Sequence, residues 1–240
     1  MDRNPNIDAF DSEAEVLARL SPFSASYVQG VRPLLSRLHL AETESGVIIE
    51  LGCARGNLTR ALLEVFPAAK VIWVDGALQL IDIARRQTAG EPRASFIVSP
   101  FEELDWGALP QNCAAVVAVF ALEHVAREER CEKIFKGIRN ILRKGGVFLD
   151  KEWARDTTPP GTDTRDRSRP ENMPDFMRQA IEEGRITEEE HWRLWDKLAQ
   201  PETHHFMDLD KQLDALRKAG FSEVSGEWDT ESVTIVEAQK

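Results

Sequence analysis

The stretch Val47-Ile48-Ile49-Glu50-Leu51-Gly52-Cys53-Ala54-Arg55-Gly56-Asn57 decides how the rest of the chain is read. Its apolar opening runs unbroken toward Gly52, as in a strand covered on both faces of a parallel sheet. Gly52 and Gly56 permit a tight turn and let a ligand approach bare backbone. Helical spacing follows over 57–65. Asp75 closes the next apolar run, 19 positions after Gly56, close to the ~20 at which an acidic side chain in this architecture accepts from ribose hydroxyls. A glycine pair alone is ordinary turn chemistry. The strand before it, the helix after it and the acid at the next strand end make this one a ligand-binding turn.

Outward from the turn, strand and helix patterns alternate. Residues 70–74 read as a strand, 78–87 as a helix, 94–98 and 114–120 as strands, 128–142 as a helix, and 147–149 as a strand after Gly145-Gly146. This alternation predicts right-handed parallel crossovers in a doubly wound α/β sheet, with ligands at the carboxyl ends of its strands. Upstream, the first eleven residues are polar and expected to be mobile. A helix then starts near Ala14 with Asp11 or Ser12 as N-cap, and a second spans 24–40, where Pro33 predicts a kink or a division. Downstream, residues 155–170 are rich in Thr, Asp, Arg and Pro, the composition of a mobile loop. Two short helices follow, one over 175–183 ended by Gly184, the other opened by Thr187 with Glu190 at capping-box spacing. Trp192, Trp195 and Leu198 share a face of the latter, as the insertion's own core or as a hydrophobic lid. Asp208 caps a helix through Ala219, Gly220 stops it, and 221–228 and 232–238 close the chain as a strand pair.

The 240 residues, 42% hydrophobic and 30% charged, suit one domain of ordinary size, or one carrying an insertion. No apolar run approaches the ~20 residues of a bilayer span, and Met1-Asp2-Arg3-Asn4-Pro5 lacks signal-peptide order. The cytoplasm is the expected location, without a membrane partner. Cys53, Cys113 and Cys131 are odd in number and lack metal-ligand spacing, so reduced thiols and no metal are expected. A net charge of −11 repels phosphate backbones, which disfavours nucleic acid and favours a small-molecule partner.

The turn also discriminates among nucleotides. A dinucleotide fingerprint wants glycine where Ala54 and Asn57 stand, which opposes a nicotinamide oxidoreductase. Glu50, just before the turn, disfavours a pyrophosphate and suits an ammonium group. A cofactor bearing an amino acid and a ribose fits better. On these residues, 47–62 resembles the first motif of class I S-adenosylmethionine-dependent methyltransferases, an acidic residue followed by glycines at alternate positions. Asp75-Gly76-Ala77-Leu78-Gln79-Leu80 is similar to the family's ribose-binding segment, and Pro100-Phe101-Glu102-Glu103-Leu104 to its adenine-contacting loop. Residues 116–125, 142–146 and Ala219-Gly220-Phe221 resemble its later landmarks, so the likeness covers about residues 40–153 and 208–240.

The resemblance implies a doubly wound, mostly parallel seven-stranded sheet of Rossmann-like methyltransferase type with an antiparallel C-terminal strand. It further implies a helical lid at 1–40, a cofactor-binding core at 41–153 and 208–240, and a loop with a helical insertion at 154–207 over the acceptor site. The implied cofactor is S-adenosylmethionine, held by Glu50, Gly52, Cys53, Ala54, Gly56, Asn57, Asp75, Gly76, Leu80, Pro100, Phe101 and Phe120. The implied activity is methyl transfer to a small organic acceptor. Two positions depart from the pattern: Ala54 replaces the middle glycine, and Pro100 replaces an acid that meets the adenine amino group. Both support a rival reading, a methyltransferase-like fold that binds a ligand or protein partner without methyl transfer. His124, after the fourth strand, is the candidate proton acceptor, or else it faces solvent or caps the next helix. Tyr27 contacts the methionyl carboxylate or the substrate, or packs as an amphipathic side chain. Glu152 and Trp153 border the acceptor pocket at the end of the fifth strand. His204 and His205, before the last helix, are placed to reach the same cleft.

Overall fold

The computed structural model describes residues 5–20, 23–155, 173, 175–198 and 204–240. Three helices lead: α1 (Pro5–Ser12), α2 (Ala14–Leu20) and α3 (Ala25–Ser36). Then come β1 (Val47–Leu51), α4 (Asn57–Val65), β2 (Lys70–Asp75), α5 (Leu78–Gln87), β3 (Ala94–Val98) and β4 (Cys113–Val119). A short α6 (Arg127–Glu129) passes through a π-helical turn into α7 (Phe135–Ile141), which leads to β5 (Leu142–Trp153). The insertion contributes α8 (Asp175–Glu182) and α9 (Glu188–Leu198), and the chain closes with α10 (Leu209–Ala219), β6 (Glu223–Trp228) and β7 (Val233–Gln239).

The seven strands form one sheet in the order β3-β2-β1-β4-β5-β7-β6. The first five run parallel, and β7 runs antiparallel to both β5 and β6. The order reverses between β1 and β4, which opens a crevice at their carboxyl ends. Side chains alternate across the sheet. Ile48, Val71, Val117 and Leu149 join the layer of α3 and α4, while Ile49, Val74, Val116 and Phe148 join that of α7 and α10. Helices on both faces explain why β1 is an apolar run rather than an alternating one.

α1 and α2 stand outside these layers and join the insertion. Val16 and Leu20 share a small core with Ala180, Ile186 and Leu194. Glu13, only 2% exposed, receives Arg193 at 3.0 Å and Lys197 at 2.5 Å. Arg19 pairs with Glu190, and Arg185 donates to the carbonyl of Leu20, 165 positions away. Two distant segments thus form one cap, which Ile7, Phe10 and Ala14 seat on Ala77, Leu80 and Ile83.

The structure corrects several expected boundaries. The first eleven residues are not wholly without structure: α1 begins at Pro5 because Ile7 and Phe10 find apolar partners on α5. Asp11 accepts the Gln79 N–H at 2.8 Å, and Asn6 donates to the carbonyl of His124 at 3.3 Å. α3 ends at Ser36 rather than at 40, and Pro33 lies inside it without dividing it, one turn from its end, where few bonds remain to lose. α3 also buries Val28, Leu34 and Leu35 with α4, so it belongs to the core and the cap narrows to α1 and α2. β5 is longer than 147–149 because β7 pairs with it from Val147 to Trp153. The loop expected at 155–170 lies, except for Arg155, outside the described residues. The capping box forms as its spacing predicts: Glu190 N–H donates to Thr187 Oγ1 at 3.1 Å, and Thr187 N–H to Glu190 at 2.9 Å.

Glu13→Gln keeps the shape of this clasp and removes its charge. Hydrogen bonds to charged groups contribute roughly 1.5–3 kcal/mol when buried and less where the partners are solvated, as Arg193 and Lys197 are. Urea unfolding of the variant is expected to show a loss of about 1–2 kcal/mol, and a second change at Arg193 is expected to add little.

Candidate functional site

β1 delivers the chain to Gly52, which adopts φ of +76° and whose N–H donates to the Val74 carbonyl at 2.8 Å. A Cβ at Gly52 would stand 2.4 Å from that of Ala121, so only glycine lets this turn meet the segment after β4. Ala54 takes φ of +44°, a left-handed conformation costing an L-residue roughly 1–2 kcal/mol. Its N–H points at Asp75 Oδ2, 3.0 Å away. The Ala77 N–H, at the start of α5, reaches the other carboxylate oxygen at 2.8 Å. Asp75 is therefore fixed from both sides at the end of β2.

Around Asp75 lies a cavity of about 90 Å³. Gly52 and Ala54 line it from the turn, Gly76 and Leu80 from β2 and α5, Pro100 and Phe101 from the loop after β3, and Phe120 and His124 from the segment after β4. All of these were singled out in the sequence. The roof was not: Asn6, Ile7 and Phe10 of α1 close the cavity, with Ile7 packed against Gly76. Their signal was Ile7 and Phe10 at helical spacing in a stretch otherwise polar.

The other expected ligand residues stand behind the wall. Cys53, Gly56 and Asn57 are buried, with Cys53 Sγ 3.9 Å from Asp75 and Gly56 opening α4. Glu50 is wholly buried. Its Oε2 accepts from the Thr59 hydroxyl at 2.5 Å, and its Oε1 has no partner. Burial raises the Glu50 pKa to about 8, the Thr59 bond opposing and the Asp75 charge assisting. Asp75 rises to about 6, again chiefly through burial, with the Ala77 and Ala54 N–H groups opposing. Tyr27 rises to about 12 by burial and by the charge of Glu50, partly offset by Arg55. Tyr27, Glu50 and Arg55 thus form one electrostatic group on the α3 side of the turn.

His124 meets the cavity with its ring edge-on to Phe10, centroids 5.1 Å apart, and 4.8 Å from the ring of His204. Beneath it lies a buried ionic network. Arg130 donates to Glu152 at 2.7 Å and to the backbone carbonyl of His205, and Gln212 donates to Glu152 at 3.0 Å. Glu123, Asp150 and Glu152 are each under 4% exposed. Burial raises all three, and the charge of Glu152 adds to the rise of Glu123 and Asp150, whereas Arg130 opposes it. Glu152 is thus placed in the interior and not at the pocket it was expected to border. Arg130 ties the segment carrying His204 to the strand ends, a role that spacing alone does not reveal. Trp153 is exposed and lies 5.8 Å from Phe120, ring to ring.

Two expectations follow from this geometry. Ala54→Gly relieves the left-handed strain against glycine's larger chain entropy, and thermal or urea unfolding should show a gain of about 0.5–1 kcal/mol. Glu50 binds its proton more tightly folded than unfolded, so its contribution to stability is full below pH ~4.5 and is lost as pH rises through about 8. Stability of the native chain measured from pH 5 to 8.5 should therefore fall relative to Glu50→Gln, and parallel curves would contradict the assignment.

Comparison with known proteins adds relatives to this geometry. A family model described as a methyltransferase domain matches residues 48–146. A malonyl-[acyl-carrier protein] O-methyltransferase of Chlorobium phaeovibrioides is 34% identical over 47% of this chain and 42% of the relative. The tRNA N(3)-methylcytidine methyltransferase trm141 of Schizosaccharomyces pombe is 32% identical over 43% of each chain. The chain spans about half or less of the length of the curated relatives it matches. Among solved structures, a Haloferax volcanii complex of the Trm112 methyltransferase activator with a methyltransferase aligns at a TM-score of 0.62 and 16% identity. The alignment covers 97% of this chain and 96% of that one. This last likeness concerns the fold.

Proposed function

We propose that this chain, whose residues 48–146 match a family model of a methyltransferase domain, is a class I S-adenosylmethionine-dependent methyltransferase that transfers a methyl group to a small organic acceptor by in-line displacement. The observation that carries the reading is the Asp75 carboxylate, held by the N–H groups of Ala54 and Ala77 at the wall of the crevice. S-adenosylmethionine supplies a methyl carbon already activated by its sulfonium. The residues present fit that cofactor. Asp75 offers lone pairs to a ribose, and Leu80 and Phe101 offer apolar surface to an adenine. The unpartnered Oε1 of buried Glu50 suits the pole of an amino acid, and Tyr27 with Arg55 suits the opposite one.

The protein's share of the catalysis is alignment and exclusion of water. α1 and α2, tied to α8 and α9, act as a lid: Asn6, Ile7 and Phe10 withdraw to admit a nucleoside and return over it. His124 takes the proton that a hydroxyl or ammonium acceptor releases, and the ring of His204 and the Asn6 bond to its carbonyl hold it in place. Activities differ widely among the relatives, from a malonyl-[acyl-carrier protein] O-methyltransferase to a tRNA N(3)-methylcytidine methyltransferase. A small molecule is favoured here by the net charge of −11, which opposes a polyanion.

Calorimetry with S-adenosylhomocysteine tests the cofactor, and release of that product from S-adenosylmethionine tests the transfer. Asp75→Ala removes two charge-assisted acceptor sites, and its affinity is expected to drop about 10- to 100-fold, at ~1.4 kcal/mol per tenfold. Unchanged affinity would defeat the cofactor assignment. Tight cofactor binding without any methylated product across acceptors would instead favour a binding protein built on this fold.

A further inference from the structure

Resting on the transfer reading above, we infer that the acceptor is a planar aromatic molecule without an acidic group, held by Phe120 and Trp153 at the mouth of the crevice. Among the described residues, the large apolar side chains left exposed are Leu78, Val98, Phe120 and Trp153. The last two, each 41% exposed, stand side by side with ring centroids 5.8 Å apart and planes tilted by 35°. They come from the ends of adjacent parallel strands, β4 and β5, on the side of the switch point where a ligand belongs. Phe120 also lines the cavity beside Gly52 and His124. A hydrophobic pair in such a place marks a binding surface rather than scattered surface residues.

The backbone holds Phe120 there against its own preference. Its φ of +52° is left-handed, a conformation that suits glycine, and its N–H continues the ladder by donating to the Lys151 carbonyl at 2.7 Å. Strain of this kind persists where surrounding structure enforces it, and it gathers at functional sites. An extended backbone at 120 would send the ring elsewhere, so the strained turn presents an aromatic face at the mouth.

Charge narrows the class further. The charged side chains lining the cavity are Asp75 and Glu102, and no lysine or arginine joins them among the described residues. The cations adjacent to the pair in sequence are engaged: Lys151 lies 2.8 Å from Asp229, and Arg155 lies 2.8 Å from Asp208 with its guanidinium over Trp228. A carboxylate or phosphate on the acceptor would find the carboxylates of Asp75 and Glu102 and no lysine or arginine lining the cavity. A phenol meets two rings, and a phenol that also carries an alkylammonium group adds cation–π attraction. This chemistry differs from that of the malonyl-[acyl-carrier protein] O-methyltransferase among the relatives, since a malonyl group carries a carboxylate.

The test is calorimetry on the full chain saturated with S-adenosylhomocysteine, with tyramine, catechol, benzoate and citrate as probes. Tyramine or catechol should bind saturably and at least ten-fold tighter than benzoate or citrate. Trp153→Leu should weaken that binding ten-fold or more while its affinity for S-adenosylhomocysteine stays within two-fold, which also certifies that the variant is folded. Equal or tighter binding of benzoate or citrate, no saturable binding of either aromatic, or undiminished binding to the variant would each overturn the inference. Failure of the unmodified chain to bind S-adenosylhomocysteine at all would strike the transfer reading beneath it, and is seen before any acceptor probe is added.

Discussion

A carboxylate with little water around it needs donors, and the position of Asp75 is set chiefly by two of them. The N–H groups of Ala54 and Ala77 come from different elements, the turn after β1 and the start of α5, and both converge on the end of β2. Each of these elements must be in place for the other to be satisfied. The left-handed Ala54 is a consequence of that convergence, whereas Gly52 is bare because Ala121 approaches it. The pKa of Asp75 stays elevated because its backbone N–H bonds offset its desolvation without abolishing it. On the proposed reading, a ligand that adds hydroxyl donors completes the shell.

The same logic governs the deeper acids. Glu123, Asp150 and Glu152 share one guanidinium, so their charges cannot all be neutralised by it. Their network joins β5, the segment after β4, α10 and the stretch around His205 through Arg130 and Gln212. An apolar core would pack these elements without specifying their register. Directional bonds specify it, and the His124–His204 contact above the network depends on that register. On the proposed reading, the interior acids serve the chemistry by placing an imidazole and touch no substrate themselves.

The cap shows a division of labour between apolar and polar contacts. Apolar packing of Val16, Leu20, Ala180, Ile186 and Leu194 joins the N-terminal helices to the insertion, and the Glu13 clasp sets their angle. Contact with α5 is made largely by Ile7, Phe10 and Ala14 on Ala77, Leu80 and Ile83. Apolar contacts are non-directional and roughly proportional to area. On the proposed reading, a unit tied internally by ions and seated mainly by such contacts leaves its seat as one piece.

Much of this was legible in the order of residues, because local rules act there. Period, glycine placement and caps located the strands and helices near the crevice, and the helix from Leu209 to Ala219 with its Asp208 cap and Gly220 stop lies where the sequence placed it. The spacing from Gly56 to Asp75 found the acid that the turn clasps. What eluded it arises between distant segments: α1 as a roof, α3 as core rather than lid, Glu152 turned inward to Arg130, and Phe120 set beside Trp153. None of these follows from spacing along the chain, since each depends on which strands are neighbours and which face a side chain takes. Sequence by itself determined the parallel part of the sheet and the glycine turn at its switch point, through short-range sterics and hydrophobic period. Only the tertiary structure decided which polar groups are paired in the interior and which rings stand open at the mouth, because burial and partnership are properties of the packed whole.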